Sequence, residues 1–159
     1  MMPAVIVKLM ATLAIVCQLA PLGGGVPSSV SSADTFPQGK AEWEPEAADV
    51  AMISRTIWGE TRGCCEEEQR AQAWCILNRV NDSRFPDTIE AVVTAPAQFQ
   101  GYSPSFPEEP FWDMAREILI LWHNGEREIP ADMCWCSGDG VHQTFRNSWE
   151  RTAETRYWP

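Results

Sequence analysis

A single glutamate, Glu60, stands just before two adjacent cysteines in the segment TIWGETRGCC, residues 56–65. A carboxyl group can act as a general acid that protonates a leaving group, whereas a thiolate is a nucleophile. Gly59 is a predicted helix stop, which places Glu60 at or just past a helix C-terminus. The helix dipole there disfavours a charged carboxylate, and a general acid at neutral pH needs that bias. The alternative interpretation is a solvated surface glutamate.

A polar loop with several aromatic rings follows further along the chain and is the predicted substrate-binding surface. Its rings and amides are the mixture that suits sugars, and they are Gln98, Phe99, Gln100, Tyr102 and Phe106. Trp58 is predicted to supply an apolar wall beside Glu60, and Gly59 to let another backbone or a ligand come close. The alternative for the rings is that they anchor the loop to the core.

The elements that position these groups are mostly helices, as apolar residues at helical spacing indicate. The predicted helices run from about Pro45 to Gly59, from Glu66 to Val80, over a short segment capped near Asp87 or Thr88, and from about Phe111 to Asn124-Gly125. Two β-prone runs then flank Ser137-Gly138-Asp139-Gly140, which is a hairpin signal. We therefore expect a mainly α (α+β) domain with a small C-terminal β-hairpin.

The N-terminal part of the chain has a different character. Residues 1–33 combine one charge, Lys8, with an interrupted apolar run and small residues at the end, which predicts a signal peptide. The alternative is an uncleaved membrane anchor. Residues 34–45 are a predicted linker, and residues 46–159 are the predicted domain. The net charge of −10 argues against nucleic acid and anionic membranes as partners, so we expect a secreted monomer that binds neither.

The motifs occur in an order that belongs to a known family. The matching positions are Arg55, Gly59-Glu60, Arg62-Gly63, Gln69, Ala71, Ala73, Asn78-Arg79-Val80, Phe85-Pro86, Thr88 and Phe99, then His142 and Phe145. Over about residues 48–146 the chain resembles the catalytic domain of the spore cortex-lytic enzyme and cell wall hydrolase family (the SleB type). It departs from the pattern at Cys64, where the family has a second glutamate.

The resemblance implies a lysozyme-like domain that acts on the glycan strands of peptidoglycan and needs no metal or other cofactor. Glu60 would correspond to the family's catalytic glutamate, in a lytic transglycosylase that cuts between N-acetylmuramic acid and N-acetylglucosamine. Trp58, Gln98, Phe99, Tyr102 and His142 are the expected substrate-binding residues. The alternatives are a hydrolytic muramidase or glucosaminidase with the same glutamate, or an inactive peptidoglycan-binding domain.

Six cysteines occur in the chain, and five of them follow residue 33. An exported domain favours disulfides, but an odd number leaves at least one thiol free or paired between chains. A bridge from Cys64 or Cys65 to Cys134 or Cys136 is expected to tie the Glu60 segment to the hairpin.

Two other interpretations give the thiols a chemical role. Cys65 at a helix start with His142 on a later strand would suit a papain-like cell wall peptidase. Thiols with His142 or His123 would suit a zinc amidase, although the Cys-x-Cys spacing is not typical of zinc sites. The acidic run Glu66-Glu67-Glu68 is interpreted as helix-start chemistry.

Overall fold

The computed structural model describes residues 43–159, so the predicted signal peptide and most of the predicted linker lie outside the described residues. The elements are α1 Ala47–Thr61, α2 Glu66–Val80, α3 Ile89–Thr94, a 3-10 helix Glu109–Phe111, α4 Trp112–His123, β1 Trp135–Gly138, β2 Gln143–Arg146 and β3 Tyr157–Trp158. None of the described helices has the length and apolar character needed to cross a membrane.

The helices follow the predicted spans closely, with one informative difference. Helix α2 has the predicted bounds, and α3 begins after Thr88, whose Oγ1 accepts a hydrogen bond from the Ala91 N–H. Helix α1 does not stop at Gly59 but continues to Thr61. Beyond its end, the Gln69 side chain donates to the carbonyls of Thr61 at 3.3 Å and Cys64 at 3.0 Å. These bonds satisfy acceptors that a helix C-terminus leaves open.

The core forms where α1 packs against α2, α3 and α4. Its largest fully buried side chains are Trp74, Phe145, Ile53, Ile57, Ile76, Leu77, Ile118, Leu119 and Met133. Trp74 lies at the centre of α2 and donates its indole N–H to the Glu128 carboxylate at 2.7 Å, so the buried ring keeps a polar partner.

The three-stranded antiparallel sheet has the order β1-β2-β3. The predicted hairpin is confirmed, with Trp135 opposite Arg146 and Gly138 opposite Gln143. Strand β3 was not predicted, because two residues carry no periodic pattern. It pairs with β2 through Phe145 and Trp158, and Phe145 brings the sheet onto the helical core. The mainly α architecture with a small C-terminal sheet is thus confirmed.

Candidate active site

Glu60 lies in the last turn of α1 and is half-buried. Its Oε1 accepts a hydrogen bond from the backbone N–H of Gly101 at 2.6 Å. A carboxylate that accepts from a main-chain donor has a fixed orientation, because the donor belongs to the backbone and cannot change rotamer. The site therefore holds one carboxyl oxygen of Glu60 against the loop that follows α3.

Two glycines make this contact possible. A Cβ atom added to Gly59 would overlap the carbonyl group of Gly101. A Cβ atom added to Gly101 would lie 2.5 Å from the Gly59 oxygen and 3.0 Å from the Glu60 Oε1. The expectation that Gly59 admits a close backbone is confirmed. The backbone that approaches is that of Gly101, and the contact sets the position of the Glu60 carboxyl group.

The loop over residues 97–102 is held in place by Arg79 of α2. The Arg79 Nη1 donates to the Gln98 Oε1 at 2.8 Å, and its guanidinium lies 4.6 Å from the Phe99 ring centre. Phe99 is buried, and the Tyr102 N–H donates to its carbonyl at 3.1 Å. Phe99 is thus a loop anchor, whereas Gln98 is exposed to solvent. Ala97 has a φ of +60°, a region where a non-glycine residue is uncommon.

An open cavity of about 510 Å³ lies beside this loop. Its lining is Arg79, Phe85, Ala97, Gln98, Trp135, Cys136 and Trp149. Trp149 is 72% exposed, and the Trp135 ring packs edge-on against Phe85 at 5.6 Å. The cavity and Glu60 border the same 97–102 loop, the cavity through Ala97 and Gln98 and the glutamate through Gly101. A second cavity of about 330 Å³ shares Gln98 and extends past Phe99 to Tyr102.

Trp58 and His142 make their contacts elsewhere. Trp58 precedes Glu60 by two residues, about 200° around the helix axis, and packs edge-on against Phe111 at 6.2 Å. His142 lies on the connection between β1 and β2, where its Nδ1 is 3.2 Å from the Glu68 Oε1. The structure thus gathers the 97–102 loop around Glu60, while Trp58 and His142 contact other parts of the domain.

Glu68 is a buried carboxylate whose partners the sequence did not predict. It is 8% exposed, and it also accepts a hydrogen bond from the Gln143 N–H at 3.2 Å. A favourable interaction with the dipole of α2 therefore does not account for the position of Glu68. A pattern did exist: Glu68, Gln72, Cys75 and Arg79 recur at helical spacing along α2, and all four are buried. This polar stripe of α2 faces the hairpin.

The five cysteines of the described chain are all free thiols, so the expected bridge to the hairpin is not present in the structure. The physical reason is distance along α2. Cys64 and Cys65 lie before its first turn, whereas Cys136 contacts Cys75, about 15 Å further along the helix axis. Cys134 is buried before β1, with its sulfur 3.8 Å from the Asp82 carboxylate.

The geometry gives little support to the other thiol chemistries. His142 is paired with Glu68, and among the described residues no hydrogen bond joins it to Cys65, which is exposed at the start of α2. His123 stacks on Trp43 at 3.9 Å. Within residues 43–159, no group of three or more His, Cys, Asp or Glu side chains is arranged to hold a metal ion.

Residues 64–155 match the family described as Cell Wall Hydrolase, which is more than half of the chain, and the protein belongs to this family. The match begins after α1, so Glu60 lies outside it.

Curated relatives also show this similarity. The chain is 33% identical over 106 residues to a spore cortex-lytic enzyme of Oceanobacillus iheyensis, covering 64% of this chain and 33% of the relative. It is 31% identical over 77 residues to a spore cortex-lytic enzyme of Bacillus subtilis, covering 48% and 25%. The chain thus matches a third or less of the length of these relatives. No solved structure gives a significant match, and the lysozyme-like fold stays a prediction.

Proposed function

We propose that this protein cleaves the glycan strand of peptidoglycan, with Glu60 as its catalytic acid and base. Membership of the cell wall hydrolase family and the names of the curated relatives support the substrate class. The observation that carries the catalytic assignment is the Glu60 carboxyl group, held by the Gly101 N–H in the last turn of α1. We also propose that the protein is exported and acts at the cell wall as a monomer.

The proposed reaction is that of a lytic transglycosylase. Protonated Glu60 donates its proton to the glycosidic oxygen between N-acetylmuramic acid and N-acetylglucosamine, and the bond to the leaving sugar breaks. The resulting carboxylate then accepts the proton of the muramic 6-hydroxyl, whose oxygen closes a 1,6-anhydro ring. The Gly101 N–H orients Oε1 throughout, which leaves Oε2 for the proton transfers. One carboxyl group therefore serves both steps.

The contacts around Glu60 are compatible with this use of one carboxyl group. Within residues 43–159, no other carboxylate is hydrogen-bonded to Glu60 or to Gly101. Glu68, the buried carboxylate of α2, is already engaged by Gln143 and His142. A hydrolase with two catalytic carboxylates would place them about 5–10 Å apart, on either side of the scissile bond. Hydrolysis through Glu60 is the second candidate, and the product ends distinguish it.

The aromatic cavity is the proposed sugar-binding surface. Trp149 exposes most of its ring, and Trp135 and Gln98 line the same cavity. Flat rings pack on the apolar faces of sugars, and an amide fixed by Arg79 can hydrogen-bond hydroxyl or acetamido groups. Tyr102 extends this surface along the second cavity. Phe99, Trp58 and His142 support the domain from the contacts described above.

The test is mass spectrometry of the soluble fragments that residues 34–159 release from purified peptidoglycan, from both spore cortex and vegetative wall. Glu60→Gln keeps an oxygen for the Gly101 N–H but cannot cycle a proton. The matched control is Glu67→Gln, an exposed glutamate in the first turn of α2. We expect wild type and Glu67→Gln to produce anhydro-muramic ends, and Glu60→Gln to lose at least about a hundredfold in rate.

Each other result has a definite meaning. Reducing ends from the wild type would keep Glu60 and replace the transglycosylase by a hydrolase. Full activity of Glu60→Gln would refute the glutamate assignment. Binding of the wild type to peptidoglycan without any release of fragments would identify a binding domain, for which the replacement of the family's second glutamate by Cys64 is a sequence indication.

A further inference from the structure

A contact between two thiols lies at the wall of the aromatic cavity. Cys75 on α2 is fully buried and faces Cys136 on β1, because Gln72 and Arg79 on the same stripe of α2 are hydrogen-bonded to Gln143 and to the Cys134 carbonyl. Cys136 is only half-buried and lines the 510 Å³ cavity, whereas Cys75 does not. An external reagent can therefore reach Cys136 from the cavity, while Cys75 approaches the same sulfur from the core.

The surroundings of Cys136 are those of a stabilised thiolate. The buried Gln72 Nε2 has no hydrogen-bond acceptor among the described residues, and it is positioned to donate to an ionised Cys136. The Cys75 hydrogen bond, first, and then the Arg79 guanidinium and Gln72 lower the pKa of Cys136 to about 7. Burial and the negative charge of Glu60 on α1 oppose this shift. Low thiol pKa together with access is the combination that makes a cysteine reactive.

We propose that Cys136 and Cys75 form a redox-active dithiol, in which Cys136 reacts with a small disulfide and Cys75 resolves the product. In the first step the Cys136 thiolate attacks one sulfur of the external disulfide and expels the other as a thiolate. In the second step Cys75 attacks the Cys136 sulfur and expels the second small thiolate, which takes up the Cys75 proton and leaves as a thiol. Two protein thiols are oxidised to one disulfide, and one external disulfide is reduced to two thiols.

The positions of the two sulfurs suit the second step. Thiol–disulfide exchange needs the attacking sulfur opposite the leaving sulfur. The external group enters from the cavity that Cys136 lines, and Cys75 lies on the core side of that residue. The other thiols are placed differently: Cys134 lies before β1 with its sulfur beside the Asp82 carboxylate, and Cys65 is exposed at the start of α2.

The test exposes the folded, fully reduced protein to oxidised glutathione and maps its tryptic peptides without reduction. Cleavage after arginine separates Cys75 (residues 71–79) from Cys64 and Cys65 (63–70) and from Cys134 and Cys136 (128–146). We expect wild type to give a cross-link between 71–79 and 128–146 that survives in Cys134→Ser. In Cys75→Ser, glutathione should remain on Cys136. Circular dichroism checks that each variant is folded.

The rate of the first step adds a second readout. At pH 7 a thiol with a pKa near 7 is about half ionised, against a few per cent for an ordinary thiol. After allowance for its lower nucleophilicity, Cys136 in Cys134→Ser, which keeps Cys75 in place, should react roughly threefold faster than a cysteine in an unfolded peptide. Glutathione found on Cys64, Cys65 or Cys134 but not on Cys136 would overturn the proposal. Persistent glutathione on Cys136 in the wild type would overturn the resolving role of Cys75. None of these readouts depends on glycan cleavage.

Discussion

Because Gly59 lies so close to Gly101, we expect Gly59→Ala to destabilise the protein, whereas helix propensity alone predicts that it stabilises. Gly59 lies inside α1, where an alanine would normally stabilise an open helix by about 1 kcal/mol. In this structure the added Cβ atom would overlap the Gly101 carbonyl group. To restore ordinary contact, the loop backbone has to move away from α1 by about 1 Å.

That displacement is large enough to break the hydrogen bond that holds Glu60. It would lengthen the Gly101 N–H to Glu60 Oε1 distance from 2.6 Å to about 3.6 Å, which is no longer a hydrogen bond. Overpacking of this kind costs about 1–3 kcal/mol, which exceeds the gain in helix propensity. We therefore expect Gly59→Ala to lower the free energy of unfolding by about 1–2 kcal/mol. An error of about 1 Å in a catalytic group can lower kcat by about a hundredfold.

Gly63→Ala is the matched control, because a Cβ atom at Gly63 would have no neighbour within 4 Å. Urea unfolding and the rate of fragment release from peptidoglycan are measured for both variants beside the wild type. We expect Gly63→Ala to be neutral or to stabilise by up to about 1 kcal/mol, with unchanged activity. If Gly59→Ala were as stable and as active as Gly63→Ala, the close approach would have no role in holding Glu60.

Three further predictions test other parts of the structure. Arg79→Met leaves the Cys134 carbonyl without its buried donor, and we expect urea unfolding to show a loss of about 1–3 kcal/mol, against under about 1 kcal/mol for the more exposed Arg84→Met. Trp149→Ala should weaken binding to glycan fragments about tenfold without changing stability, whereas Trp43→Ala should leave binding unchanged. Burial raises the pKa of Cys134 to about 11, above that of an unfolded cysteine. The neutral thiol therefore contributes stability that is fully present below the unfolded pKa and is lost as the pH rises through 11. Cys134→Ser should therefore flatten the fall in urea midpoint between about pH 9 and 11, and an identical fall in both proteins would contradict this.

Local patterns were enough to predict the helices and the hairpin. The spans of α2 and α3 follow from apolar spacing and from the Thr88 cap, and the hairpin from the Ser137–Gly140 turn signal. These features depend on neighbours within a few residues. The end of α1 and the role of Gly59 depend instead on a loop about forty residues away, at Gly101. A glycine is a common helix stop, and no local signal shows that this one lies against another backbone.

The polar interior was harder to predict than the fold. Glu68 and Cys75 each have an ordinary local explanation, as a helix-start acid and as a small core residue. Their hydrogen bonds to the hairpin appear only when β1 and β2 pack on α2. The same applies to cysteine pairing, because an odd set of thiols allows several connectivities that sequence cannot separate. What the sequence does show is a run of polar residues at helical spacing on a buried helix, which indicates partners elsewhere in the chain.

The polar residues of the family motif divide by the direction of their hydrogen bonds. Arg55, Gln69, Asn78 and Arg79 each donate to a backbone carbonyl, at Phe106, Cys64, Pro130 and Cys134 respectively. These side chains attach loops to α1 and α2, so their presence in the motif follows from the need to hold irregular backbone in place. Glu60 does the opposite, since it accepts from a loop N–H and its carboxyl group is half-exposed. Because its contacts leave one carboxyl oxygen available, Glu60 is the motif residue that structural demands explain least, and this is why we propose it as the catalytic residue.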